Sequence, residues 1–187
     1  GIVTWEDLYC KSNINPNYTG MYSVSITSDV AGNIYVLGYG EYFSGSNTLK
    51  DIVVIKYDSA GTLLADTVLG VDSTQTREPV KIVYGKNGLI YVLSEAVHNN
   101  GKQVSAVIAL NTDLQKVWMD IFSSTNVNTN LKPKDLYIDK TNNVLVAGNC
   151  LRAGQGKNIF AYRIKTNLKR KVLYYNNLQN TSGDEDV

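Results

Sequence analysis

The sequence predicts an all-β protein made of three similar units, each with four short antiparallel strands. The β-branched residues Val, Ile and Thr make up 47 of its 187 residues, a composition that favours strands over helices. Asn (20 residues) and Gly (15) are abundant while Pro (3) is rare, which suits short strands joined by tight turns. The same succession of strands and turns then recurs three times along the chain.

The repeat has a steady period of 53 to 56 residues. Matching positions are marked by Tyr35, Tyr91 and Leu145 in the second strand of each unit and by Tyr57, Leu110 and Ile164 in the third. Four strands in a unit of about 50 residues is the pattern of a β-propeller blade. The predicted fold is therefore a partial propeller, with three full blades and one orphan outer strand, truncated or completed by oligomerisation.

The repeat also sets the predicted boundaries. The three blades are predicted at residues 20–70, 78–123 and 131–176. Residues 1–10 are predicted to be the outer strand of a preceding blade, because Trp5 lies 113 residues, about two periods, before Trp118. The acidic tail at 177–187 is predicted to be disordered.

The first unit carries a repeat signature. Its second strand reads Asn33-Ile-Tyr-Val-Leu-Gly38 after a turn that begins at Asp29, and its third strand reads Asp51-Ile-Val-Val-Ile-Lys-Tyr57 before a second turn. This pattern resembles the bacterial seven-bladed β-propeller repeat, and the end of the second unit, Ala109 to Trp118, is similar to quinoprotein-type propellers. The resemblance implies a bacterial protein that is secreted, periplasmic or at the cell surface. Its motifs specify turns and strand pairing and do not imply an activity.

The predicted connections differ in length. Those between the second and third strands are long, at Tyr39–Lys50, Glu95–Gln103 and Asn149–Asn158, and so are the links between blades at Gly70–Pro79 and Ser123–Pro133. In an up-down-up-down blade all of these emerge on one face, where we expect a ligand or partner to bind. The candidate binding residues on this long-loop face are Glu41, Tyr42, Phe43, Gln75, Arg77, His98, Arg152 and Lys157.

These candidates suit carbohydrate or protein recognition, because aromatic rings supply apolar area and amide and guanidinium groups supply paired hydrogen bonds. Two alternatives stay open. The long connections are plain solvent-exposed loops, or Tyr42 and Phe43 pack a loop onto its own blade.

No catalytic constellation is predicted. His98 is the single histidine, which nearly excludes a Ser-His-Asp triad or a histidine-based metal site within one chain. A carboxylate pair for glycoside hydrolysis stays open, since spatial pairing cannot be read from the sequence. No cofactor or metal is expected. The aspartates at predicted turns are expected to cap their own backbone; they are Asp29, Asp58, Asp113 and Asp139.

Cysteine count and charge narrow the possibilities further. Cys10 and Cys150 permit one disulfide, with buried thiols as the alternative. A net charge of +1 with 19% charged residues argues against nucleic-acid binding. No apolar run approaches ~18 residues, so membrane insertion is not predicted.

We therefore expect a non-enzymatic binding or scaffold module that contacts protein or glycan through its long-loop face. The alternatives are a hydrolase or lyase acting on polysaccharide with carboxylates on that face, or a purely structural spacer. Three blades alone would leave two apolar blade faces exposed. The chain is accordingly expected to be a homo-oligomer or part of a longer chain.

Overall fold

Twelve β-strands make up the described part of the protein. The computed structural model describes residues 4–9, 15, 17–69, 77–97, 101–124, 129–152, 156–165 and 170–175, and of residues 77, 152 and 170–175 the backbone alone. No helix occurs within these ranges, and so none that is long and apolar enough to cross a membrane.

The strands form three four-stranded antiparallel sheets, in each of which neighbours in sequence are neighbours in space. Blade 1 consists of β1 (Gly20–Ser28), β2 (Ile34–Ser44), β3 (Asn47–Tyr57) and β4 (Leu63–Val68). Blade 2 consists of β5 (Arg77–Tyr84), β6 (Ile90–Val97), β7 (Gln103–Leu110) and β8 (Lys116–Phe122). Blade 3 consists of β9 (Thr129–Ile138), β10 (Val144–Arg152), β11 (Gly156–Lys165) and β12 (Arg170–Tyr175). The predicted fold class, propeller-like blades in an all-β chain, is confirmed.

The first strand of each blade is its innermost strand. β5 contacts β1 on one side and β9 on the other, and the side chains of Lys81 and Asp135 form an ion pair between β5 and β9. Each of the three strands also carries a β-bulge where it pairs with the second strand, at the matching residues Val24, Val80 and Lys134. A bulge bends its strand and increases the local twist, so the three inner strands share the same distortion.

Two apolar cores hold the blades together. Between blades 1 and 2, the buried side chains of the second and third strands are Tyr35, Leu37, Ile52 and Val54 facing Ile90, Val92, Ile108 and Leu110. Between blades 2 and 3 the corresponding side chains are Tyr91, Leu93, Val107 and Ala109 facing Val144, Val146, Phe160, Tyr162 and Ile164. Blade 2 is covered on both faces, which explains why β6 and β7 are apolar at nearly every position.

The face of blade 1 that points away from blade 2 is partly covered by residues 4–9. The rings of Trp5 and Tyr57 have centroids 5.6 Å apart, and the Tyr9 hydroxyl donates a hydrogen bond to Asp66 Oδ2 at 2.7 Å. Residues 4–9 lie in no strand, in contrast to the outer strand expected there. A strand needs a neighbour for its backbone hydrogen bonds, and the described residues contain no fourth sheet that would supply one.

The connections between second and third strands are much shorter than predicted. β2 and β3 stay paired from Ile34↔Tyr57 to Ser44↔Asn47, so only Gly45 and Ser46 form the turn, with Gly45 at φ 63°. β6–β7 and β10–β11 pair in the same way up to Val97↔Gln103 and Arg152↔Gly156. Polar side chains near the strand ends suggested loops, but pairing depends on the backbone and continues through them.

The opposite end of the blades carries tight turns closed by a side chain. Asp29 Oδ1 accepts hydrogen bonds from the backbone N–H groups of Ala31 and Asn33, both at 2.9 Å. Asp58 and Asp139 make the same two bonds, so their predicted capping role is confirmed. In blade 2 the capping residue is Asn111, which bonds the N–H of Asp113 at 3.0 Å. The prediction for Asp113 was therefore wrong, because the cap occupies the first position of the turn.

We expect Asp29→Ala to lower the melting temperature and Asp29→Asn to be milder, since Asn keeps the Oδ1 acceptor that Asn111 uses in blade 2. Asp29 accepts four hydrogen bonds, and each net hydrogen bond that is lost costs about 1 kcal/mol, or roughly 2–4 °C in a domain of this size. Burial acts to raise the pKa of Asp29, but the hydrogen bonds from Asn33 and Tyr35 outweigh it and lower the pKa below its usual 3.8.

A carboxyl with a lowered pKa stabilises the fold above its unfolded pKa and loses that contribution as the pH falls. The difference between wild type and Asp29→Ala should therefore shrink as melts are recorded at pH values decreasing from 3.8 toward the lowered pKa of the folded state. A difference that stays constant over that range would contradict the assignment of the charge to this turn.

Candidate functional site

One repeat position on the first strand of each blade carries an aromatic, an acidic and a basic side chain in turn. The innermost strands present Tyr22, Glu78 and Lys132, spaced 56 and 54 residues apart. Each of them is the Cα partner of a residue on the second strand, in the pairs Tyr22↔Tyr39, Glu78↔Glu95 and Lys132↔Asn149. Blade 1 thus places an aromatic pair there, blade 2 an acidic pair and blade 3 a lysine beside an amide.

The aromatic pair forms a small platform. The rings of Tyr22 and Tyr39 are stacked, with centroids 4.9 Å apart and planes inclined by 23°. Tyr22 is 48% exposed, so one ring remains accessible to solvent. Lys50 places its Nζ 4.7 Å from the centroid of the Tyr39 ring, a distance at which the ammonium is attracted to the ring face.

Lys50 joins this platform to blade 2. Its Nζ lies 2.8 Å from Glu78 Oε1 and 3.7 Å from Glu41 Oε1. The hydrogen bond to Glu78 is the main cause that raises the pKa of Lys50, against the opposing effect of burial. The lysine is therefore charged at neutral pH and held at the boundary between blades 1 and 2.

Glu95 continues the line toward blade 3. Burial raises the pKa of its carboxyl, the neighbouring charge of Glu78 raises it further, and the ammonium groups of Lys132 and Lys134 oppose that change. Glu95 therefore lies within electrostatic reach of the glutamate on its own blade and of two lysines on β9. A half-buried carboxyl beside a second carboxylate is an uncommon arrangement for a purely structural position.

Contacts join the first four of these residues and charge interactions extend the line to the last two; we call the set the cross-blade row: Tyr22, Tyr39, Lys50, Glu78, Glu95 and Lys132. It runs over all three blades, from the middle of the second strands toward the β2–β3, β6–β7 and β10–β11 turns. Its two lysines and two glutamates balance in charge. Two residues before Glu95 on β6 is Leu93, and two residues before Asn149 on β10 is Ala147. The row therefore begins where the apolar pattern of the blades ends.

The first three candidates of the long-loop face lie on a strand. Glu41, on β2, pairs with Lys50 and so adjoins the cross-blade row. Phe43 is 66% exposed near the end of the same strand. Tyr42 points to the opposite face of the sheet, where its ring lies 6.0 Å from that of Tyr18. Tyr42 therefore packs onto its own blade, which was one of the two alternatives, whereas Glu41 and Phe43 lie on the other face.

The remaining candidates are not brought together. Lys157, on β11, lies on the face of blade 3 that points away from blade 2. The backbones of Arg77 and Arg152 belong to β5 and β10, whereas Gln75 and His98 fall outside the described residues.

Of the two cysteines, the structure describes only Cys150. Cys150 is buried in the core between blades 2 and 3, with 6% of its surface exposed. Cys10 falls outside the described residues. A disulfide between them stays a prediction.

The cross-blade row was not predicted from the sequence, although a signal existed. Polarity at the ends of the apolar runs predicts loops that include Tyr39, Lys50 and Glu95. Aligning the three repeats residue by residue puts Tyr22, Glu78 and Lys132 in register. This marks a position where the side chain differs in each blade although the strand pairing is the same. Among the described residues, no group of three or more His, Cys, Asp and Glu is arranged to hold a metal ion.

The fold is similar to that of two solved structures. A protein of unknown function from Dyadobacter fermentans matches with a TM-score of 0.62 and 12% identity, over 83% of this chain and 50% of that one. The GH43_1 enzyme from Xanthomonas citri, solved in complex with xylose, matches with a TM-score of 0.51 and 14% identity, over 84% of this chain and 57% of the enzyme. The chain has a propeller-type fold.

That likeness is one of fold alone, since both identities are low. The chain spans about half the length of the two solved chains. No protein-family model and no curated protein matches it. The cross-blade row is a feature of this chain's own residues, carried on that fold.

Proposed function

We propose that the chain is a non-enzymatic binding module that holds a neutral glycan over the cross-blade row. The observation that carries this proposal is the stacked, half-exposed Tyr22–Tyr39 pair beside Lys50 and Glu78. An aromatic face covers the apolar face of a sugar ring, while carboxylates and ammonium groups exchange hydrogen bonds with its hydroxyls.

The charge balance of the row favours a neutral ligand. Lys50 and Lys132 offset Glu78 and Glu95 over a short distance, so a polyanion or polycation would meet as much repulsion as attraction. A polyhydroxylated ligand both donates and accepts hydrogen bonds, so it can satisfy both kinds of charged group. The similar GH43_1 enzyme was solved with xylose, which supports a sugar as the ligand class. The proposal retains the secreted, periplasmic or surface location implied by the repeat resemblance.

We expect xylohexaose to bind in isothermal titration calorimetry, and Tyr22→Ala to weaken binding by about tenfold or more, as for an aromatic anchor. Glu78→Gln should also weaken it, because the carboxylate loses half of its acceptor capacity and its pairing with Lys50. Val30→Ala is the matched control, since Val30 is 93% exposed in a turn at the opposite end of the blade. Equal binding by Tyr22→Ala and Val30→Ala would refute this site.

A hydrolase is the second candidate function, favoured by one observation. Glu78 and Glu95 are direct cross-strand partners, and the raised pKa of Glu95 suits a general acid beside a second carboxyl group. Release of new reducing ends from xylohexaose, abolished in Glu95→Gln with binding retained, would establish the enzyme in place of the binding module. If the protein neither binds nor hydrolyses neutral glycans, the remaining function is that of a structural spacer.

A further inference from the structure

The face of blade 3 that points away from blade 2 is an apolar surface that the described residues leave open. Tyr137 is 63% exposed and Leu151 is 48% exposed on it. A groove of about 240 Å³ runs over this face, with Leu145, Ala147 and Ala161 in its floor. Solvent exposure of a contiguous apolar surface is the mark of an interaction site.

The repeat register shows what kind of surface this is. Leu145 is equivalent to Tyr35 and Tyr91, Ala147 to Leu37 and Leu93, and Ala161 to Val54 and Val107. In blades 1 and 2 these positions are fully buried against the next blade. The open face of blade 3 therefore repeats the surface that, twice in this chain, packs onto a following blade.

Two cations follow the same register. Lys157 is equivalent to Lys50, and Arg163 is equivalent to Lys56. In blade 1 both lysines reach across to blade 2, where Lys50 Nζ contacts Glu78 Oε1 and Lys56 Nζ donates to the backbone oxygen of Thr112, at 2.8 and 2.9 Å. On blade 3 itself Arg163 pairs with Asp139 Oδ2 at 3.1 Å. The open face of blade 3 is thus apolar in its centre and carries cations at two positions that bridge blades elsewhere.

Blade 1 presents the complementary surface. Its outer face carries Met21, Val36 and Ile55, over which a groove of about 320 Å³ lies between the sheet and residues 4–9. Val36 and Ile55 are equivalent to Val92 and Ile108, the residues with which blade 2 receives blade 1. Carboxylates surround this face, namely Asp7, Asp51 and Asp66.

We propose that the open face of blade 3 docks onto the outer face of blade 1 of a second copy of this chain. The occupant is a second copy because one chain carries both halves of the interface, with their apolar positions in matching register. Such head-to-tail contacts either close into a ring or grow openly. Two copies supply six blades, which lies within the range of about four to eight that closes a propeller. Docking displaces residues 4–9, which occupy part of the receiving face.

Sedimentation velocity of the full chain, from micromolar to hundreds of micromolar, tests the proposal. We expect a concentration-dependent dimer that is lost in Ala161→Lys and in Met21→Lys, while the matched control Ala31→Lys, at an exposed turn, associates like wild type. Thermal melts of each variant report whether it folds. A monomer throughout the range, or association unchanged in folded Ala161→Lys, would overturn the proposal.

Mixing the two variants separates this arrangement from its rivals. Ala161→Lys and Met21→Lys each retain one intact face, so a head-to-tail pair must recover when they are combined although each alone is monomeric. Recovery would support the proposal. Association of Met21→Lys by itself would indicate a symmetric contact between two blade 3 faces, and failure of the mixture to recover would indicate a different protein as the occupant. Either result would reject the proposal.

Discussion

Replacing Tyr162 with alanine is expected to remove about 3–5 kcal/mol from the free energy of unfolding, out of roughly 5–15 kcal/mol for a domain. Tyr162 is 1% exposed in the core between blades 2 and 3. Its ring centroid lies 4.5 Å from that of Phe122 on blade 2 and 6.1 Å from that of Phe160 on its own blade. The truncation would leave a cavity between two rigid sheets, which cannot collapse without moving a whole blade. Urea unfolding measures the change.

The hydroxyl of Tyr162 adds a polar link across the same interface. It lies 2.8 Å from Ser105 Oγ on blade 2. Tyr162→Phe leaves the buried Ser105 hydroxyl without that bond and should cost about 1–3 kcal/mol, whereas adding Ser105→Ala should restore part of the loss. A double-mutant cycle that is additive within error would show that the two hydroxyls do not interact.

The second large effect is expected at Gly148, where the backbones of β9 and β10 approach closely beside the bulge. A Cβ at this position would stand 2.8 Å from Pro133 Cα and 2.9 Å from Phe160 Cε1, and would also strike the backbone oxygen of Lys132. Gly148→Val should therefore cost about 1–3 kcal/mol or more, since the obstacle is mostly backbone and cannot rotate away. Urea unfolding again measures the change, and a loss below about 0.5 kcal/mol would contradict this reading.

Ser94 provides the matched control, because it occupies the equivalent position in blade 2. There the side chain is accommodated, but its Oγ is buried and makes no hydrogen bond within the described residues. Ser94→Ala should stabilise the protein by about 1 kcal/mol, since it removes a buried polar group that lacks a partner. Substitution at the same repeat position is thus expected to lower the free energy of unfolding in blade 3 and to raise it in blade 2.

Sequence pattern alone was enough to predict the blades and their turns, because both depend on residues close together in the chain. A capping side chain such as Asp29 closes its turn with N–H groups two and four residues away, and alternating apolar residues define each strand. The ends of the strands were misjudged for the same reason. Polarity predicts loops at Lys50 and Glu95, whereas backbone pairing continues through both residues, so both lie in strands.

The cross-blade row and the open face of blade 3 were decided only by the tertiary structure. Lys50 and Glu78 lie 28 residues apart in sequence, and Ser105 and Tyr162 lie 57 apart, so their meeting depends on how one sheet packs on the next. The sequence by itself determined that three blades form and where the turns capped by Asp29, Asp58 and Asp139 lie. Which polar groups then meet, and which apolar face stays open, was settled by inter-blade packing, because contacts between sheets are set by geometry that no local pattern records.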